Sequence, residues 1–151
     1  MRIIELSAVV LALLAPVPAT AGPATELVRQ FYSNPVANPT DPALRDRFVD
    51  PAKAQLDANQ TSVDKTGEIG CIDWSLVADG QDWDDAEINR TVKFDETSNG
   101  DTAIVVASFT SFDQKIAVEW SLARAGGVWK VSDIASSANG WRLSELDCGP
   151  N

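Results

Sequence analysis

The side chains in this sequence that could do chemistry are carboxylates and a single phenol. Histidine is absent from all 151 residues. That removes imidazole general acid–base catalysis, Ser-His and Cys-His nucleophiles, and the ordinary imidazole metal sites. What remains is an aspartate base whose pKa is raised by burial, set against the hydroxyl of Tyr32, the one tyrosine. Asp73, Asp82 and Asp133 are the candidate bases, and Asp73, between Ile72 and Trp74, is the one we nominate. The plainer alternative is that Tyr32 lies on a helix stripe with its hydroxyl reaching solvent, while the aspartates cap turns and strand ends.

Asp79-Gly80-Gln81-Asp82-Trp83-Asp84-Asp85 sets four carboxylates in seven residues, and hard cations take oxygen ligands of this kind. The order does not match a calcium loop, so the run is expected to be a solvated acidic loop anchored by a buried Trp83, with neither metal nor other cofactor. Five tryptophans could line an apolar ligand pocket with a few polar groups. Tyr32, Asp73, Trp83 and Trp120 are the residues we place there, although core packing explains most of the indoles equally well. There is no Gly-rich phosphate loop, no nucleophile elbow and no interleaving of basic and aromatic residues. Asn59-Gln60-Thr61 and Asn89-Arg90-Thr91 match the N-glycosylation pattern.

The elements that must position these residues follow from periodicity. Lys115 to Ala123 puts Ile116, Val118, Trp120 and Leu122 on one face, and Val128 to Ile134 alternates likewise. Gly126-Gly127 between them supplies the positive φ of a tight turn, so the two runs are expected to pair as a hairpin with an apolar face carrying indoles. Ser98-Asn99-Gly100-Asp101 and Asp113-Gln114 are the other expected turns, flanking a strand over 102–112. Upstream, Ala24 to Ser33 reads as a helix with Leu27, Val28, Phe31 and Tyr32 on one stripe, capped by Thr25 or its predecessors and stopped by Asn34-Pro35. Asp41-Pro42 starts a second helix, burying Ala43, Leu44, Phe48 and Val49, and Asp50-Pro51 starts a third that runs to about Asn59. Residues 60–70 read as turns, residues 72–77 and 87–94 as strands, and residues 139–146 as a loop with a short helical turn. Helices followed by consecutive strands predict an α+β domain, with the helices covering one face of a curved antiparallel sheet.

Arg2, an apolar run over 6–15, a Pro break and Ala19-Thr20-Ala21 have the layout of a secretory signal peptide. Residues 1–21 are therefore expected to be removed, leaving 22–151 as a single domain in the periplasm or outside the cell. The apolar run is too short to span a bilayer, which needs roughly 20 residues. A net charge of −10 opposes binding to phosphate backbones or anionic lipid, so no nucleic-acid partner and no membrane span is expected. Two cysteines, Cys71 and Cys148, are most simply one disulfide in an exported chain.

The Glu26-Leu27-Val28-Arg29-Gln30-Phe31-Tyr32 helix, Asp73-Trp74 followed by Gln81-Asp82-Trp83, and the closing Trp129-Lys130-Val131-Ser132-Asp133-Ile134 strand resemble the nuclear transport factor two-like superfamily, within it a bacterial exported family of unknown function. The resemblance spans nearly all of residues 22–151. It implies a cone-like α+β fold, a pocket between helices and sheet, and a homodimer through the open sheet face. It does not imply a reaction, because function lives in the site rather than the fold. Two roles are carried forward. One is a non-catalytic domain that binds a small apolar molecule or an exported protein. The other is a cone-fold isomerase or dehydratase using Asp73 and Tyr32.

Overall fold

A computed structural model describes residues 22–149; the expected signal peptide lies outside them. Three α-helices precede the sheet: α1 (Pro23–Arg29), α2 (Ala52–Thr66) and α3 (Asp85–Thr91). Five strands follow, β1 (Lys93–Asn99), β2 (Thr102–Ser111), β3 (Gln114–Ala125), β4 (Val128–Ser136) and β5 (Trp141–Arg142). Each pairs antiparallel with the next, giving the sheet order β1-β2-β3-β4-β5. The fold is the expected α+β single domain with helices over an antiparallel sheet.

The alternation in β3 is realised as read: Val118, Trp120 and Leu122 are buried while Lys115, Ala117 and Arg124 are exposed. Val105, Ala107 and Phe109 of β2 share that face. Gly126 and Gly127 both have positive φ, as a two-residue turn between strands of this twist requires. The β2–β3 turn uses Phe112 and Asp113, not Asp113 and Gln114, and both have positive φ. In β4 the register shifts beside Ser121 and Leu122, so Val131 faces Leu122 and Asp133 faces Ser121, leaving Ser132 as the extra residue. The bulge lets Ile134 pair with Trp120 on the core face and turns Asp133 to the opposite one.

The stripe of α1 and the 3₁₀ turn after it lies over this face. Ala24, Val28, Phe31 and Tyr32 are buried, and the Phe31 ring lies 4.8 Å from that of Trp120. Gly22 stands at the N-cap of α1 and offers no side chain. The cap comes from β1, where the Glu96 carboxylate accepts from Thr25 N–H at 2.8 Å and from the Thr25 hydroxyl at 2.7 Å. A carboxylate at this end is also favoured by the helix dipole.

Several expected elements differ. The stretch after Asp41-Pro42 is a 3₁₀ helix (Pro42–Arg47), capped as expected by the Asp41 side chain on Ala43 N–H, but Ala43 is exposed. The next helix continues past Asn59 to Thr66 and ends at Gly67, φ 69°. Its last turns face solvent, so they need no apolar stripe. Residues 72–77 form no strand. Ile72, Leu76 and Val77 are buried within a series of turns, whose one bridge joins Ser75 to Gly80. Residues 87–91 are helical because the Asp84 carboxylate accepts from Glu87 N–H at 2.9 Å and caps α3. The buried Ile88 and half-buried Val92 are one helical turn apart, a spacing equally readable as helix. Cys71 and Cys148 are disulfide-bonded.

Candidate functional site

Tyr32 and Trp120, placed at a binding site, both lie in the core, as the apolar face of the β3 alternation requires of Trp120. Trp120 Nε1 donates to the Tyr32 hydroxyl oxygen at 3.0 Å, and the two residues are 0% and 2% exposed. Phe94 and Phe109 pack on the same tyrosine. Burial pushes the Tyr32 hydroxyl far above the ordinary phenol range, only partly countered by the Trp120 hydrogen bond. The expectation that this hydroxyl reaches solvent is corrected. A helix stripe specifies which side is buried, not how deep its last aromatic reaches.

Asp73 and Trp83 do come together. They line a surface recess of about 430 Å³ with Ala37, Asn38, Trp74 and Gln81, and Tyr32 is not among its walls. The two walls are set by a residue that sequence reasoning left in the acidic loop. One oxygen of Asp85, Oδ1, accepts from Trp83 Nε1 at 3.0 Å and from Val36 N–H at 2.8 Å. That atom fixes the indole plane on one side and the Pro-rich segment on the other. On the latter, Ala37 N–H donates to Phe31 C=O at 2.9 Å, and the Asn38 side chain accepts from Thr40. Asp73 is exposed and meets only Gln81 Nε2, at 3.5 Å. It does not lie in an enclosed cavity beside Tyr32.

The other carboxylates of the run do separate structural work. Asp84 caps α3, and Asp82 is exposed. Asp79 is buried in the left-handed conformation, φ 58°, and accepts from Ser136 Oγ, Asn139 Nδ2 and Trp141 Nε1 at 2.6, 2.9 and 2.7 Å. The Asp79-Gly80 pair is the local signal that such a turn lies here. Its long-range partners have no sequence mark. Trp141 meets Trp74 edge-on at 5.8 Å, so Trp83, Trp74 and Trp141 follow one another along the surface around Gln81. Asp133, the third candidate base, accepts from Ser144 N–H and Oγ at 3.0 and 2.6 Å and pairs with Arg142. Among the described residues no three acidic or cysteine side chains converge as metal ligands, and no helix is long and apolar enough to cross a membrane. Of the two glycosylation-type asparagines, Asn59 is buried with its carbonyl oxygen accepting from Ile72 N–H, and Asn89 donates to Tyr32 C=O.

No protein-family model matches this chain, and no curated protein matches it. Among solved structures it is similar to a chain in a crystal structure of the type VI native effector-immunity complex Tae3-Tai3 from Ralstonia pickettii. The TM-score is 0.51 at 22% identity, over 76% of this chain and 91% of that one. At that identity the likeness is one of fold.

Proposed function

We propose that this chain is an exported, non-catalytic domain that docks on another exported protein through the recess between Trp83 and the 36–38 segment. The observation that carries the reading is the shared Asp85 oxygen, which pins both walls of the recess before any partner arrives. Preorganisation of this kind lowers the cost of binding, and half-buried indoles at a surface are the residues that dominate protein interfaces. Phe112, 58% exposed, stands at the tip of the hairpin whose Ser111 Oγ takes the Asp84 N–H, so the surface beyond Trp83 has a second large apolar group. A fold neighbour crystallised within an effector-immunity complex supports a protein partner in preference to a small molecule.

The disulfide supports an oxidising compartment, the periplasm or the exterior. The kinship with nuclear transport factor two-like domains, and the sheet-face dimer it implies, belong to the same proposal. Carboxylate catalysis has no comparable support, since the Tyr32 hydroxyl is engaged in the core and Asp73 stands in solvent.

The test is site-specific photo-crosslinking of the full chain in its own cells, with the reactive side chain at Gln81 in the recess or at Thr61, exposed on α2. A discrete protein adduct from position 81, absent from position 61 and lost with Trp83→Ala, is the expected result. No adduct, or the same adducts from both positions, overturns the reading.

A further inference from the structure

The recess beside Trp83 is aromatic and acidic and holds no cation of its own, and we infer that it receives a basic side chain, arginine in preference to lysine, carried on a loop of the partner. This inference rests on the protein-docking reading above and supplies the chemistry that would recognise the partner.

Several aromatic faces and carboxylates of this acidic chain are met by its own basic residues. Arg29 lies over Phe94, Arg47 over Phe31 and Arg124 over Trp129, at 4.9, 5.8 and 4.8 Å. Asp57 holds both Arg45 and Lys53, and Arg142 bridges Glu119 and Asp133. The recess combines indoles and carboxylate in one place with no such partner. Among the described residues no Arg or Lys stacks on Trp74 or Trp83, and none pairs with Asp73. Asp82, beside Trp83 in the chain, is exposed and likewise unpaired. No basic residue lines the walls.

An indole face attracts a cation, more strongly as water is excluded, and a carboxylate next to it fixes where the charge sits. A guanidinium does both at once. It stacks flat on an indole and forks onto a carboxylate, whereas an ammonium is a more strongly hydrated point charge. The Asp85 clamp keeps the Trp83 Nε1–H occupied, so that ring offers its face in place of a hydrogen bond. A volume of about 430 Å³ exceeds one side chain and leaves room for the backbone that carries it.

The probes are N-acetyl-Gly-Arg-Gly-amide and its citrulline counterpart, which keeps the planar shape and loses the charge. The readout is the set of indole N–H signals of the isotope-labelled full chain. The arginine peptide is expected to shift the Trp74 and Trp83 signals saturably, with a dissociation constant on the order of 1 mM, the weak range fit for one anchor of an interface. The Trp120 signal should stay in place and so report an intact core. Asp73→Asn should weaken the response about ten-fold, as expected on removing one charged partner, while Asp64→Asn on α2 should not.

Absence of shifts at Trp74 and Trp83, equal shifts from the citrulline peptide, or an Asp73→Asn chain that binds like the parent each overturns the inference. A Gln81 adduct that forms in a chain indifferent to the arginine peptide leaves protein docking standing and removes this chemistry. A peptide that binds while Gln81 captures no protein does the reverse.

Discussion

Trp120 and Tyr32, 88 residues apart in the chain, meet in the centre of the core, where the indole N–H donates to the phenol oxygen at 3.0 Å. The bond joins the helical layer to the middle strand at the point where the Phe31, Phe94 and Phe109 rings also gather. Removing the hydroxyl strands a buried donor. Tyr32→Phe is expected to cost about 1–3 kcal/mol, the penalty of an unsatisfied buried group. Trp120→Ala should cost about 3–5 kcal/mol as a large core truncation. Denaturant unfolding of both and of the double variant checks this. A double variant whose loss equals the sum would show that the two side chains act independently.

Asp79 gathers Ser136, Asn139 and Trp141, which lie 57, 60 and 62 positions further along the chain. Asp79→Ala leaves three donors without their acceptor and adds an alanine at positive φ. We expect a loss of roughly 2–4 kcal/mol, above that of a single hydrogen bond. The 139–144 segment should also become accessible to hydrogen exchange before the sheet does. Exchange rates there equal to the parent's would show that the disulfide alone holds the segment.

Glu96 makes a pH prediction. Partial burial works to raise its pKa, but hydrogen bonds from Ser98 and from the Thr25 hydroxyl and N–H outweigh that and hold it below the ordinary glutamate value. A pKa lowered by folding contributes stability above the unfolded value, about 4.3, and that contribution is lost as pH falls through the folded one. Glu96→Gln should therefore melt below the parent at neutral pH, by roughly 1 kcal/mol for a charge-assisted cap, and like it in strong acid. A constant difference across that range would remove the carboxylate from the account.

Phe112 occupies a left-handed position, φ 48°, with its ring largely in solvent. A bulky residue there is strained by about 1–3 kcal/mol, and asparagine accepts the conformation more readily. Phe112→Asn should raise the melting temperature while weakening capture at Gln81, provided the hairpin tip belongs to the docking surface. A variant with unchanged capture would confine that surface to the recess.

What could be read in the sequence was whatever depends on near neighbours. The β3 alternation, the Gly126-Gly127 turn, the α1 stripe and the Asp41 cap are all local patterns. Residues 72–77 misled because an apolar run states that it will be buried, not that an edge is free to pair with it. Residues 87–94 misled because Ile88 and Val92 fit either period, and the Asp84 cap that decides for helix is one residue among four acids. The Ser132 bulge, which exchanges the faces of Asp133 and Ile134, exists only in relation to the β3 register. Of the proposed site, Asp73 and Trp83 stayed together. Tyr32 and Trp120 went to the core, because aromatic residues signal burial and binding with the same chemistry. Asp85, which sets the recess, has no feature to distinguish it from Asp82 or Asp84 until Val36 is brought beside it.

The bond between Cys71 and Cys148 encloses the five described strands: β1 to β5 lie within the closed loop, and α1 and α2 lie outside it. The sheet is thus carried on a covalent ring from which the first two helices hang as a tail. The ring can be sealed only once the residues around Cys148 have been made and brought to Cys71, so the bond comes late in the life of the chain. A protease that cuts one hairpin leaves a single linked molecule until a reductant is added. One that cuts between Gly22 and Gly70 leaves two pieces with no covalent link, joined only by core packing and hydrogen bonds.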